Sequence, residues 1–371
     1  MPVQAGIEAD VVVVGAGPAG CALALNLAPF RRVLVLDKGR AAARLGGESL
    51  PAAAGRLLRD MHLEQAFLAQ GHAACHATRS TWGGAGIIEQ DALRNLDGHG
   101  WHLDRDRFDA WLAKVAAERG AALLAQTRLV GAARLAGQQA GWQLDLERMG
   151  RPLRVHARML IDASGRDGAL ARHVGSKRRA AGKLVCGWLF GADTAAGGIS
   201  ELHAEAEGWW YSAPLPSGRR LLAFYTDADL PAARAAHSAQ GLLGRLGMVP
   251  QLQRLLTGQG FAADGQHGFC AAHGVALDRP WGDGWLAVGD AALAFDPLSS
   301  QGLFNALYTG LAGSEAAHRH LQGEAGALAE YGAELERVRR AYAEHLDAWY
   351  RQEHRWSECP FWQRRHRQAI A

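Results

Sequence analysis

Three glycines spaced Gly15-x-Gly17-x-x-Gly20 follow a β-branched run, residues 9–15, and open an Ala- and Leu-rich stretch over 17–29. That spacing suits a dinucleotide phosphate. The first glycine makes a tight turn, the second lets backbone approach a pyrophosphate, and the third lets helix and strand pack closely. The helix N-terminus then faces the phosphate charge. A second buried run, residues 33–37, ends in Asp37, whose carboxylate can accept hydrogen bonds from ribose hydroxyls. Taken alone, these residues fit NAD and FAD equally.

The elements that must position them follow from hydrophobic pattern. Strand, helix and strand within about 30 residues demand a parallel sheet. Residues 103–120 read as a helix with Phe108, Trp111, Leu112 and Val115 on one side, and 121–163 alternate strands and turns. A buried strand over 159–163 runs into Asp162-Ala163-Ser164-Gly165-Arg166. Residues 177–275 differ: strands at 184–190, 209–213 and 220–225, with short helices near 238–256, predict a second, antiparallel domain. A buried strand returns at 286–289, followed by Asp290, a helix from about Gly302, and helical periodicity from about Ala316 onward.

Composition excludes several classes. A net charge of +3 over 371 residues implies no nucleic-acid partner. The five cysteines form no C-x-x-C pair, which predicts reduced thiols in a cytoplasmic protein. The first residues lack the pattern of a secretory leader, so none is expected. The longest apolar stretch, 11–29, is broken by Gly, Pro and Asn and does not read as a membrane span. Arginines gather near the C-terminus (Arg351, Arg355, Arg364, Arg365, Arg367) as a solvated helix face or a docking surface for an acidic partner.

The later segments carry a resemblance. Residues 286–292 (Leu-Ala-Val-Gly-Asp-Ala-Ala) with Asp296-Pro297-Leu298-Ser299-Ser300-Gln301-Gly302 resemble the second flavin signature of the para-hydroxybenzoate-hydroxylase fold. Arg105-x-x-Phe108-Asp109-x-x-Leu112 resembles the helix whose Arg contacts FAD in that superfamily, and residues 162–165 resemble its Asp-x-(Ser/Thr)-Gly strand end. Gly46-Gly47-Glu48-Ser49-Leu50-Pro51 is similar to a loop of flavin-dependent halogenases and geranylgeranyl-reductase-like proteins. The subgroup it resembles most is the halogenase-like flavoproteins that include maturation enzymes of quinone-cofactor oxidases. Residues 79–83, 208–213, 355–356 and 360–362 look like segments of that subgroup.

The resemblance implies FAD as cofactor and an α/β fold: a Rossmann-type FAD domain (1–80, 101–176 and 276–315), an inserted antiparallel β-sheet substrate domain (81–100 and 177–275) and C-terminal helices (316–371). It implies FAD contacts from Gly15, Gly17, Pro18, Ala19 and Gly20, from Asp37 and Lys38, and from Gly47, Glu48 and Ser49. Further contacts are implied at Arg105, Val130, Asp162 and Gly165, then at Gly289, Asp290, Pro297, Gln301, Gly302 and Leu303. In that superfamily the Asp of the Gly-Asp step binds the ribityl chain or phosphates. The Pro-to-Gly loop lies beside the isoalloxazine ring, where a helix N-terminus stabilises reduced-flavin anion.

The same resemblance argues against tryptophan-type halogenation. Those halogenases use a catalytic lysine beyond the Gly-Glu loop, and here none occurs between Lys38 and Lys114. Their partner glutamate is matched by Ser299, and their Trp-x-Trp-x-Ile-Pro motif survives only as Trp209-Trp210-Tyr211-Ser212-Ala213-Pro214. The expected activity is monooxygenation of an aromatic small molecule, or of a tryptophan in a partner polypeptide during quinone-cofactor biogenesis. Alternatives are a phenol- or pyrrole-type halogenase, a geranylgeranyl-reductase-like flavin reductase or dehydrogenase, and a non-enzymatic assembly partner. Candidate acid–base groups are Glu48 and Asp296, which can equally serve as cofactor contact or cap. Trp209 and Trp210 are candidates for an aromatic pocket; His203, His267 and His273 read as structural or surface residues. With no second Gly-x-Gly-x-x-Gly, electrons come from transient NAD(P)H, a separate reductase or the substrate itself. The oligomeric state stays open.

Overall fold

Val11, Val12, Val13 and the run Val33–Leu36 are buried on both faces, as strands at the centre of a parallel sheet must be. The computed structural model describes residues 7–39, 49–137, 140–193 and 197–367. Its first sheet runs Trp281–Gly282, Trp285–Ala287, Arg151–Asp162, Ile7–Val14, Val33–Leu36 and Ala122–Leu124. All neighbours are parallel except the first pair. A hairpin of Thr127–Leu135 and Gly141–Arg148 extends the strand Arg151–Asp162.

Register decides where the chemistry can be. Val14 pairs with both Asp162 and Leu36, and Asp162 pairs with Ala287. The carboxyl ends of four strands therefore share one edge, from which Gly15, Asp37, Ala163 and Gly289 continue. In open α/β sheets this edge is where ligands bind.

The second sheet has seven strands: Ala262–Ala271, Leu184–Ala192, Arg219–Asp227, Gly208–Pro214, Ile199–Glu205, Ala77–Thr81 and Ile88–Asp91. It is antiparallel except where Ile199–Glu205 meets Ala77–Thr81 in parallel. One face packs on the C-terminal segment through Trp209, Trp188, Tyr350, Phe361 and Trp362; the other packs on short helices through Trp210, Phe224 and Leu252. A small sheet of Ser49–Leu50, Gly100–His102 and Ala73–Cys75 joins the two large ones.

Two helices pack tightly beneath the first sheet's edge. A Cβ on Gly310 would come within 2.6 Å of the Ala19 carbonyl oxygen, and one on Gly313 within 2.8 Å of Val288. Glycine there lets helix Gly302–Leu321 lie against helix Pro18–Leu27. Helix Gly302–Leu321 continues through position 316, where the sequence suggested a boundary, and helices Ala327–Arg351 and Pro360–Arg367 follow. The C-terminal segment is tied to the second sheet: Trp82 donates to the Trp349 carbonyl (2.8 Å), Trp362 to the Glu205 carbonyl (2.8 Å), and Arg355 to the Thr81 carbonyl (2.6 Å). Arg365 is buried on Asp227 (2.9 Å) and Arg364 bridges Asp227 and Asp229, so these two form ion pairs and not a solvated face. Among the described residues no helix is long and apolar enough to cross a membrane.

Candidate functional site

Gly15 sits at φ +116°, where an L side chain is strained, and a Cβ would meet the Ala163 carbonyl oxygen at 2.3 Å. A Cβ on Gly20 would lie 2.0 Å from the Gly15 carbonyl oxygen. Gly17 is different: nothing lies within 4 Å of its Cβ position. It caps helix Pro18–Leu27 in extended conformation, with Pro18 in the first turn, no side-chain capping bond and no acid there. The main-chain donors of this helix end therefore face open space, as a pyrophosphate requires. Gly302 repeats the arrangement. Its Cβ position is open, and its helix has neither a side-chain cap bond nor an acid in the first turn. These two bare helix ends on one sheet edge fit FAD.

The other expected contacts have the following local settings. Asp37 accepts from the Gly39 amide (2.9 Å), and its main chain is held by Leu124 and Thr127. Lys38 is exposed and bonded to Asp167. Ala19 lies under Gly289, which sits at φ +57° with room for no Cβ: Ala19 would be 2.7 Å away. Arg105 pairs with Asp109 one helical turn on, both bonds at 3.2 Å. Val130 is half exposed on its strand, and Leu303 is buried. Gly165 is at φ +69° in the turn after Asp162. Gln301 is exposed at the start of the Gly302 helix. Gly47 and Glu48 lie outside the described residues.

Two acids have specific local tasks. Asp162 accepts from the Ser164 hydroxyl (2.6 Å), the Ser164 amide (3.0 Å) and the Leu170 amide (2.9 Å). Burial pushes its pKa up against those bonds. Its carboxylate thus fixes the turn that backs Gly15. Asp296 caps the Pro297–Ser299 turn through the Leu298 amide (3.0 Å) and accepts from Tyr350 (2.9 Å). Burial raises its pKa too, opposed by the Arg365 charge. Ser299, in the halogenase glutamate position, bonds its hydroxyl back to the Asp296 carbonyl (2.9 Å), and Ser300 takes φ +52°.

Pro297, Leu298 and Ser300 form one wall of a cavity of about 690 Å3. Ser49 to Ala52 and Cys75 line it at the small sheet, Ala77, Thr78, Ser200, Leu202, Trp209 and Tyr211 from the second sheet, and Gln90 to Ala92 with Arg94 to Gly98 from its edge. Arg56 and Asp97 clasp the rim at 2.6 Å. Side chains alternate along a strand, so Trp209 lines the cavity, stacked on Tyr225 at 3.9 Å, while Trp210 packs against Phe224 on the opposite face. His203 is buried between Thr81 (3.0 Å) and Glu201 (3.0 Å), away from the lining. A second cavity, about 870 Å3, lies behind the same loop and includes Asp296, Tyr342 and Tyr350.

Sequence reasoning missed Arg166, which donates to the His273 (2.6 Å) and Phe295 (2.7 Å) carbonyls and lies 3.6 Å from Asp290. Its place directly after the Asp-Ala-Ser-Gly turn was the available signal. Also missed was a hydroxyl chain on the cavity wall, Ser49–Tyr211–Ser200, ending at buried His102. Nothing in one-dimensional spacing joins those four residues.

The chain is similar to known proteins along most of its length. The family described as Tryptophan halogenase matches residues 87–371. LodB of Marinomonas mediterranea, named for FAD-dependent oxidoreductase chemistry, is 27% identical over 367 residues, covering 96% of each chain. Among solved structures, the myxobacterial chondrochloren halogenase CndH superposes with a TM-score of 0.85 at 22% identity, over 97% of this chain and 86% of its own. QhpG, a peptidyl tryptophan dihydroxylase essential for tryptophylquinone cofactor biogenesis, gives a TM-score of 0.71 at 26% identity, over 98% and 81%.

Proposed function

This chain belongs to the tryptophan halogenase family of FAD-dependent oxidoreductases, and from that premise we propose that it is a monooxygenase hydroxylating an aromatic ring. The observation that carries this reading is the cavity lining. The wall made by Pro297, Leu298 and Ser300 faces a lining with no lysine and, among the described residues, no glutamate. A cavity so lined cannot hold hypohalous acid on an ammonium group or pair it with a carboxylate at position 299. Function follows the site and not the fold.

Gly17 and the Pro18 helix end would hold the pyrophosphate, Asp37 the adenosine ribose, and Asp290 with Arg166 behind it the ribityl chain or its phosphates. When bound, FAD supplies the two-electron chemistry that activates oxygen. The chain's own residues bind the ring of the substrate against Trp209 and Leu202, exclude water with Leu50, Leu298 and the Arg56–Asp97 clasp, and aim hydroxyl groups from Ser49 and Tyr211. Electrons come from transient NAD(P)H or from a separate reductase. Similarity to QhpG along nearly the whole chain favours a tryptophan side chain in a partner polypeptide as substrate.

The test is aerobic turnover of FAD-loaded protein with a reduced-flavin supply, bromide present, and phenols, indoles and tryptophan peptides as substrates. Mass spectrometry is expected to find gain of one oxygen atom and no bromine. Brominated product alone would make it a halogenase of phenol or pyrrole type.

A further inference from the structure

Trp209, on the cavity wall, donates from Nε1 to Tyr350 Oη at 3.3 Å, and Tyr350 Oη donates to Asp296 Oδ2 at 2.9 Å. Measured between ring centres, Tyr350 lies 6.1 Å from Trp82 and 6.2 Å from Trp362, and those two indoles are 5.4 Å apart. Trp362 continues to Trp356 at 6.2 Å, the ring planes 24° apart. Trp209, Tyr350, Trp82 and Trp362 are buried, whereas Trp356 is half-buried at the surface. An unbroken line of rings thus leads from the cavity to solvent.

Packing the second sheet on the C-terminal segment asks only for apolar bulk. Indoles and phenols are also among the side chains that give up one electron most readily. Electron tunnelling falls steeply with distance, so neighbouring rings pass charge faster than one long jump does. The two roles differ in where each ring can leave a proton, because an indole or phenol that has lost an electron becomes a strong acid. Trp82 and Trp362 donate to the Trp349 and Glu205 carbonyls, both at 2.8 Å. A carbonyl accepts that hydrogen bond but is too weak a base to take the proton, so a charge there stays mobile. Tyr350 faces a carboxylate instead, and burial favours the neutral form of Asp296. Trp356 borders water. Arg355 lies over its ring at 4.2 Å, and Glu353, 2.9 Å from that guanidinium, offsets the charge.

We propose that these rings carry an oxidising equivalent from the cavity to the surface, with Tyr350 as a relay whose proton rests on Asp296. The oxidant is an aromatic radical cation in the cavity, which takes one electron from Trp209 and returns to a neutral ring. The Trp209 radical cation takes an electron from Tyr350 as the Oη proton passes to Asp296. Trp362 or Trp82 then reduces Tyr350, and the proton comes back. Trp356 supplies the next electron and loses its Nε1 proton to water. A thiol or ascorbate in solution restores Trp356 by giving one electron and one proton. The proposal rests on the reading of the cavity as the place where an aromatic ring is oxidised, and not on which group that ring gains.

Pulse radiolysis of the FAD-loaded protein in azide solution tests the path without turnover. Azidyl radicals oxidise accessible indoles, and indolyl and tyrosyl radicals have distinct optical bands. In the wild type, indolyl absorption is expected to decay into tyrosyl absorption at a rate independent of protein concentration. Tyr350→Phe should remove most of the tyrosyl signal, and Trp356→Phe, at the half-buried end, should slow its rise several-fold. No tyrosyl signal in the wild type, or one unchanged by either substitution, would overturn the proposal. The cavity end is read by mass spectrometry of the protein after aerobic turnover with an indole. Oxygen adducts are expected on Trp356 in the wild type and on Trp209 in Tyr350→Phe. The same pattern in both proteins would refute the outward direction. Radical transfer in a protein that oxidises no aromatic ring would remove the reading of the cavity and leave the path standing. Oxidised product without radical transfer would do the reverse.

Discussion

The Tyr350 hydroxyl donates to the Asp296 carboxylate at 2.9 Å, so the end of the long C-terminal helix holds the residue that caps the Pro297–Ser299 turn. Burial keeps Tyr350 protonated, its pKa well above the ordinary phenol value. Arg365 lies over its ring at 4.9 Å and pairs with Asp227 on the second sheet. One buried line of contacts thus joins the candidate flavin loop, the C-terminal helices and the second sheet. Each group's burial is compensated only while its neighbour remains.

Tyr350→Phe removes the donor without changing the packing. The buried Asp296 oxygen loses a partner, and the expected cost is about 1–3 kcal/mol. Urea unfolding should show a lower midpoint at unchanged slope. An unchanged midpoint would mean that Asp296 does not depend on Tyr350.

Two glycines separate binding from folding. Gly17→Ala adds a methyl group to open space and should leave stability of the FAD-free protein within about 0.5 kcal/mol. FAD affinity, read by quenching of flavin fluorescence, should fall at least tenfold because the methyl occupies the phosphate approach. Gly310→Ala instead drives a methyl toward the Ala19 carbonyl oxygen, and overpacking should destabilise the protein by about 1–3 kcal/mol. Equal FAD affinity in Gly17→Ala would remove Gly17 from the cofactor site.

The parallel sheet edge was legible because strands buried on both faces read as unbroken β-branched runs and the glycine spacing has a steric reason. The Gly15–Gly20 turn could be read for that reason, whereas the Asp296–Gly302 loop was readable only through its resemblance to a flavin signature. Alternation could have separated Trp209 from Trp210, since neighbours on a strand point to opposite faces. The Ser49–Tyr211 contact was not legible: it joins a two-residue strand in one sheet to a strand 162 positions away in another. Asp162 and Asp296 were visible as acids at turns, but whether a carboxylate caps its own loop or faces a ligand depends on side-chain direction.

Arg166 spreads one guanidinium over two main-chain carbonyls and lies beside Asp290. Arg166→Lys keeps the charge but loses the fork. The expected result is a loss of about 1–3 kcal/mol in stability together with weaker FAD binding. Wild-type FAD affinity in Arg166→Lys would show that charge alone suffices at Asp290.

His102 gives a pH signature. Its folded pKa of about 4 lies below the ordinary 6.5, so the unfolded chain takes up the proton more readily. The stability linked to neutral His102 is complete above pH 6.5 and is lost as pH falls toward 4, to an extent of roughly 3 kcal/mol. Asp162 and Asp296, whose pKa values are raised by burial, change in the opposite sense. Comparing wild type with His102→Gln cancels their contribution. The unfolding free-energy difference between the two proteins should therefore shift against wild type from pH 7 to pH 4. A difference independent of pH would mean that His102 titrates normally and that the Ser200 end of the hydroxyl chain is hydrated.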